Sequence, residues 1–155
     1  MRGKMKHDHY LSLLGMTALS FASMYTLMYA MVDSASNVYN NFNQVYMAGL
    51  MTAPMVVIEL LLMSSMYENK KLNALLMAAS VVAGIVFFAF IRQQTLIADR
   101  QFLRSMIPHH AGAILMCEGA SLDDQRIKEL CKAIISSQRS EIDQMRALLQ
   151  EDPPR

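Results

Sequence analysis

Apolar residues fill three stretches of the chain, each close to the length that a helix needs to cross a membrane. These stretches are about residues 10–32, 45–66 and 72–91, and a transmembrane helix needs about 20 mostly apolar residues. The last third of the sequence instead mixes apolar and polar residues at helical spacing. The pattern predicts an all-α protein with a membrane domain over residues 1–91 and a soluble domain over residues 92–155.

The soluble part is predicted to be a helical hairpin. The stretch from Arg92 to Ser105 contains no glycine or proline, so the third transmembrane helix is expected to continue into it without a break. Pro108 removes one backbone hydrogen bond and is expected to kink this helix. Gly119 is a typical C-terminal stop, and the apolar spacing that follows predicts a second helix to about residue 150.

A hairpin of two helices buries little apolar surface. Most helix stability in proteins comes from packing. We therefore expect the hairpin to complete a four-helix bundle with a second copy of the chain. The sequence predicts a homodimer or a higher even homo-oligomer.

Basic residues give the expected orientation in the membrane. Arg2, Lys4 and Lys6 precede the first apolar stretch, and Lys70 and Lys71 lie between the second and the third. Lys and Arg favour the cytoplasmic side of a membrane. This places the N-terminus on the cytoplasmic side of an inner (plasma) membrane, and three crossings then place the C-terminal domain in the periplasm or outside the cell.

Composition excludes some classes of function. The formal net charge is +1 and basic residues do not gather in one stretch, so nothing in the sequence indicates a nucleic-acid partner. No serine or cysteine nucleophile with an orienting acid and base can be picked out, so we predict no enzymatic activity. With two cysteines, the chain has no disulfide framework.

Candidate metal ligands cluster just after the third apolar stretch. Imidazole, thioether and thiol groups together suit a soft or borderline metal ion, Cu(I) above all. Methionine is also an ordinary core residue, so simple packing is the alternative for each thioether. The candidate ligands in this cluster are Met106, His109, His110, Met116 and Cys117.

The turn of the hairpin decides which residues face this cluster. If the turn is symmetric about residue 121, Met145 lies about two turns from Met106 and joins the site only across a dimer or not at all. In the same register Cys117 and Cys131 are offset by about five residues, or roughly 7 Å along the axis. That offset disfavours a disulfide between them and leaves Cys117 as an extra soft ligand or a packing residue.

Two of the membrane helices carry methionine at regular intervals. A thioether ladder that passes Cu(I) and ordinary apolar packing both explain these stripes. The residues are Met16, Met24, Met28 and Met31 on the first helix, and Met47, Met51, Met55, Glu59 and Met63 on the second. A carboxylate near the bilayer centre costs about 3 kcal/mol or more, so Glu59 is expected to face the bundle interior, hydrogen-bonded to a neighbouring span or subunit.

The sequence resembles domain-of-unknown-function family 305. The resemblance covers about residues 92–150 and rests on Asp99-x-x-Phe102-x-x-x-Met106-Ile-Pro-His109-His110-x-Gly-Ala-Ile114-x-Met116, followed by Gln138-x-x-Glu141-Ile142-x-x-Met145. It implies a ferritin-like helical bundle of a bacterial, often periplasmic protein, and some members bind Cu(I), Cu(II) or Ag(I) and are associated with copper resistance.

The resemblance also implies which residues bind metal. The matched positions are Met106, His109, His110 and Met116 in one helix and Met145 in the other, whereas Asp99, Gln138 and Glu141 match polar positions with a supporting or structural role. Ala111 departs from a common Gln, and Cys117 from a common Ala. Many relatives carry two copies of the motif, whereas this chain has one, which agrees with the expected dimer.

These observations together predict a membrane-anchored copper-binding protein. Its expected task is to capture or buffer Cu(I), with silver as a second cargo, through His109 or His110 with Met106 and Met116. One alternative is a Cu(I) transporter or channel that uses the membrane methionines and Glu59. The other alternative is a membrane scaffold with no metal.

Overall fold

The computed structural model describes the backbone of residues 2–151 and the side chains of residues 9–151. In this part of the chain the regular structure is entirely helical, which confirms the all-α prediction. The α-helices are α1 (Arg2–Leu27), α2 (Phe42–Leu62), α3 (Lys70–Gln93), α4 (Asp99–Gly119) and α5 (Gln125–Gln150), with short 3-10 turns at Met28–Met31 and Ala35–Asn37. Three described segments are long and apolar enough to cross a membrane: His9–Met31, Phe42–Leu62 and Lys70–Gln93.

The chain divides into two compact units. The first, here called the membrane unit, comprises the described residues of Met1–Leu27 and Asn43–Thr95. The second, here called the hairpin unit, comprises Met28–Phe42 and the described residues of Leu96–Arg155. The connection between the first two membrane helices therefore belongs with the hairpin, which the sequence did not indicate.

The third membrane helix ends at Gln93, so the predicted unbroken run into the soluble part is wrong. Gln94 adopts the left-handed conformation, with φ of 50°. Its N–H donates to the Ile91 carbonyl at 3.4 Å, and the Thr95 N–H donates to the Phe90 carbonyl at 3.1 Å. These two bonds form a Schellman cap, which satisfies carbonyl groups at the helix end. Glycine usually takes this position, so a glutamine cap leaves no signal in the sequence.

A chain of hydrogen bonds ties one end of the membrane unit together. Tyr10 Oη donates to Asn73 Oδ1 at 2.7 Å, and Asn73 Nδ2 donates to the Tyr67 carbonyl at 2.8 Å. Tyr67 Oη in turn donates to Glu59 Oε1 at 3.2 Å. The pKa of Tyr67 is raised, mainly because its hydroxyl is partly buried and secondly because the Glu59 carboxylate is close.

Glu59 therefore differs from its prediction. It lies in the last turn of α2, and its hydrogen-bond donor within this chain is in the turn that follows its own helix, not on a neighbouring span. A carboxylate near the end of a span costs less than one at the bilayer centre, because polar groups and water are close. The structure gives Glu59 a role in fastening the α2–α3 turn.

The hairpin unit has an apolar core that its own chain completes. The residues buried in this core are Ile107, Ala111, Ile114, Ile142 and Met145. Val32 and Tyr39, from the connection between α1 and α2, pack against the same cluster. Because this connection adds a third layer, the two-helix hairpin does not stand alone, and the argument that it needs a second copy for a core is weaker than the sequence suggested.

Polar bonds hold this connection on α5. Arg146 Nη2 donates to Asn37 Oδ1 at 2.7 Å and to Ser36 Oγ at 2.9 Å. The buried Asn37 also donates from Nδ2 to Asp33 Oδ1 at 2.6 Å. The charge of Arg146 makes its two bonds stronger than neutral ones, so they fix the connection in place.

Candidate metal site

His110 is the most constrained of the candidate ligands. Only 8% of the residue is exposed, and both ring nitrogens have partners. Nδ1 lies 2.9 Å from the Met106 carbonyl oxygen, and Nε2 lies 2.7 Å from Glu141 Oε2. A carbonyl oxygen can only accept, so Nδ1 must carry the proton of that bond. The 2.7 Å contact between Nε2 and the Glu141 carboxylate likewise needs a proton between the two atoms, so Nε2 offers a lone pair to a metal ion only once that proton has left.

Glu141 closes the Nε2 side of His110. Its Oε1 accepts a hydrogen bond from Ser137 Oγ at 2.6 Å. The Ser137 hydroxyl, followed by His110, lowers the pKa of Glu141, so the carboxylate is ionised at neutral pH. Its side chain is 45% exposed, against 10% for that of His110. The carboxylate thus lies at the rim, between solvent and the buried imidazole.

Met106 and Met145 flank the His110–Glu141 pair. Met106 precedes His110 by one helical turn, and Met145 follows Glu141 by one turn, so in antiparallel helices they lie on the same side of the pair. Met145 is buried in the hairpin core and Met106 packs against that core. The prediction that Met145 lies two turns away from Met106 is therefore wrong, and one hairpin brings both thioethers together.

The pairing of the two cysteines shows that the predicted register of α4 against α5 is wrong. Cys117 and Cys131 form a disulfide with a Cα–Cα distance of 5.3 Å, where the sequence argument disfavoured one. The connection between the helices is extended, with ψ of 134° at Ala120 and 121° at Asp124. Helix α5 therefore begins beyond the end of α4, and the last turn of α4 meets the second turn of α5.

The disulfide also changes the ligand set. A metal-binding cysteine coordinates as a thiolate, and Cys117 is not a thiolate while it is bonded to Cys131. The prediction that Cys117 binds the metal ion as a thiolate is therefore wrong for the disulfide-bonded protein.

His109 and Met116 lie apart from the buried pair. His109 is exposed, its ring centroid is 6.2 Å from that of His110, and the two ring planes are inclined by 63°. Met116 is 56% exposed. The predicted ligands thus separate into Met106, His110 and Met145 around the hairpin core, and His109 and Met116 on the outer surface of α4.

Carboxylate, imidazole and thiol groups do not form a metal-binding cluster at this site or elsewhere in residues 9–151. No three His, Cys, Asp or Glu side chains among these residues come together in a way that could hold a metal ion.

Comparison with known proteins agrees with the resemblance seen in the motif. Residues 57–149 match the family described as "Domain of unknown function (DUF305)". The chain belongs to the DUF305 family. The match begins in α2, well before the residue 92 at which the motif resemblance was expected to start, and it includes all of α3, α4 and nearly all of α5.

A second comparison shows that this DUF305 protein is similar to a known protein over both of its units. "Uncharacterized protein L153" of Acanthamoeba polyphaga mimivirus is 35% identical over 139 residues, which cover 88% of this chain and 90% of the relative. About an eighth of the chain is left outside that alignment, so the membrane helices are largely included. No solved structure gives a significant match.

Proposed function

We propose that this protein is a membrane-anchored carrier or buffer of Cu(I), with Ag(I) as a second cargo. The cargo ion is held in the hairpin unit by His110 Nε2 with the thioethers of Met106 and Met145. The observation that carries the proposal is the bond between His110 Nδ1 and the Met106 carbonyl. Metal-binding histidines commonly donate their second N–H to such a group, which orients the ring and sets the tautomer.

Glu141 supports this proposal as a movable neighbour. It occupies the position next to Nε2 that a metal ion would take. Because nearly half of its side chain is exposed, it can rotate into solvent when an ion enters. Its negative charge at the rim also attracts cations toward the buried imidazole.

The surface pair His109 and Met116 remains a prediction from the motif. Their exposure suits a second, weaker capture position on the outside of α4. In this proposal His110 gives the tight site, and His109 contributes to loading.

Two observations support an orientation with the hairpin unit in the periplasm or outside the cell. More of the basic residues that flank the spans lie on the predicted cytoplasmic side (Arg2, Lys4, Lys6, Lys70 and Lys71) than after the third span (Arg92, Arg100 and Arg104). The Cys117–Cys131 disulfide lies in the hairpin unit, and disulfides persist in oxidising compartments.

We also propose a homodimer, now because apolar side chains are exposed on the hairpin and no longer because the hairpin lacks a core. Several large apolar side chains of the hairpin remain exposed and could be covered by a second copy in a four-helix bundle. They are Phe102, Ile127, Leu130 and Leu148.

The adjacent histidines provide a matched test. The purified full chain in detergent is titrated with Cu(I) under anaerobic conditions against a chromophoric competitor. His110→Ala should lose tight binding, because Nε2 is removed, whereas His109→Ala should keep it. Met145→Leu keeps the core volume and should weaken binding without the loss of fold that truncation of a buried histidine can cause.

The opposite results would each exclude part of the proposal. Equal loss in His109→Ala and His110→Ala would place the ion between both histidines. Unchanged binding in His110→Ala would remove the hairpin site. No binding by the unmodified chain would leave the metal-free membrane scaffold as the better account.

A further inference from the structure

The membrane unit contains a groove that brings methionines of two helices together. It runs along α1, has a volume of about 620 Å³, and is lined by residues that include Met16, Met24 and Met55. These three side chains are half-buried, whereas Met47 and Met51 of α2 are each 41% exposed. The methionine stripes therefore divide into a set inside the groove and a set outside it.

Contacts between α1 and α2 fix which methionines lie at the same level. Gln44 Nε2 of α2 donates to the Tyr25 carbonyl of α1 at 3.2 Å. Toward the other end of the pair, Leu13 of α1 and Val56 of α2 belong to one buried cluster. The two helices therefore run antiparallel, and this register places Met55 within two residues of the level of Met16, or roughly 3 Å along the axis.

We infer that Met16 and Met55 form a second binding site for a soft monovalent cation, Cu(I) or Ag(I), inside the membrane unit. Two thioethers from facing helices suit an ion that prefers few, soft ligands. Ser12 and Ser20, one turn to either side of Met16, line the same groove and place hydroxyl groups near the ion. Met24 lies eight residues from Met16, or roughly 12 Å along α1, so it forms a separate step.

A charge near the groove supports a cationic ligand. Thioethers are neutral, and an unpaired charge within a membrane is costly. Glu59 lies one turn beyond Met55 on α2, and its carboxylate provides the compensating charge while Tyr67 holds one of its oxygens. Binding changes no oxidation state and breaks no covalent bond.

This inference shares only the identity of the ion with the proposed function. The groove lies in the membrane unit and the His110 site in the hairpin unit. Loss of one site can therefore be measured while the other is intact.

The chain offers a matched pair of variants for the test. Ag(I), which is not oxidised or reduced under these conditions, is equilibrated with the full chain in detergent, and the bound metal is measured by elemental analysis after dialysis. The double variant Met16→Leu/Met55→Leu should bind less Ag(I) per chain, because the groove site is lost. The control variant Met47→Leu/Met51→Leu should bind as much Ag(I) as the unmodified chain. Leucine nearly conserves the volume of methionine, and circular dichroism checks that helicity is kept. Met55→Leu alone serves if the double variant does not fold.

Two further variants complete the design. His110→Ala should retain Ag(I) binding at the groove site, and Glu59→Gln should weaken groove binding roughly tenfold or more, because the compensating charge is removed. Full Ag(I) binding by the groove variant, or an equal loss in the control, would overturn the groove site. Unchanged affinity in Glu59→Gln would overturn the role of its charge.

Discussion

The membrane unit and the hairpin unit differ in which residues fill most of their buried positions. The hairpin unit has an aliphatic core, with Ile107, Ile114 and Ile142 each at most 3% exposed. The membrane unit turns many large apolar side chains outward, including Leu14, Leu19, Leu75 and Ile85. Its buried positions are instead often small or polar, such as Ala48, Thr52 and Asn73.

This difference follows from the solvent that each unit is expected to meet. In water, burial of an aliphatic side chain is favourable by about 1.5–3 kcal/mol. In a bilayer, lipid tails are as apolar as leucine, so helices associate through close backbone approach and polar contacts. Large aliphatic side chains therefore stabilise the hairpin unit mainly from inside, whereas many of those in the membrane unit suit its outer surface.

The largest effect is expected from truncation of the hairpin core. Ile107 is fully buried, so Ile107→Ala should lower the free energy of unfolding by about 2–5 kcal/mol. Leu75 of the membrane unit is 65% exposed, so Leu75→Ala should change it little in detergent. Pulse proteolysis across a urea series measures both. Equal destabilisation by the two variants would break the contrast between the units.

A smaller effect is expected from close packing in the membrane unit. A Cβ added at Gly49 would collide with the Phe87 ring, whereas one added at Gly15 meets nothing within 4 Å. Gly49→Ala should therefore destabilise the unit by about 1–3 kcal/mol through overpacking, and Gly15→Ala should not. The thermal midpoint of helix loss in detergent compares the two. A tolerant Gly49 would show that the ring moves aside freely.

The smallest effect is a dependence on pH in the hairpin unit. The pKa of Glu141 is lowered from its ordinary value near 4.5, so in acid the unfolded chain binds this proton before the folded chain does. The stabilisation is complete above pH 4.5 and is lost as the pH falls through the folded-state pKa. Urea midpoints measured from pH 6 to 3 should fall less for Glu141→Gln. Glu129→Gln, on the same helix, is the control, and an equal change in both variants would contradict the assignment.

The candidate site shows where sequence reasoning stops. The motif identified Met106, His110 and Met145, because their side-chain chemistry is visible in the sequence. It could not separate His110 from His109, since adjacent residues differ only in the face of α4 that they occupy. The role of Glu141 beside His110, and the packing of residues 28–42 on the hairpin, depend on contacts between residues that are far apart in the chain.

Local patterns determined by themselves the helical class, the three membrane-length segments, the stop of α4 at Gly119 and which residues are candidate soft ligands. Each depends on residues within a few turns of one another, so the sequence displays it directly. Tertiary structure alone decided the register of α4 against α5, the Cys117–Cys131 bond, the Gln94 cap and the burial of His110. These features depend on the extended connection of residues 120–124 and on the packing of residues 28–42 against the hairpin. Both involve contacts between residues far apart in the chain, which no local pattern encodes.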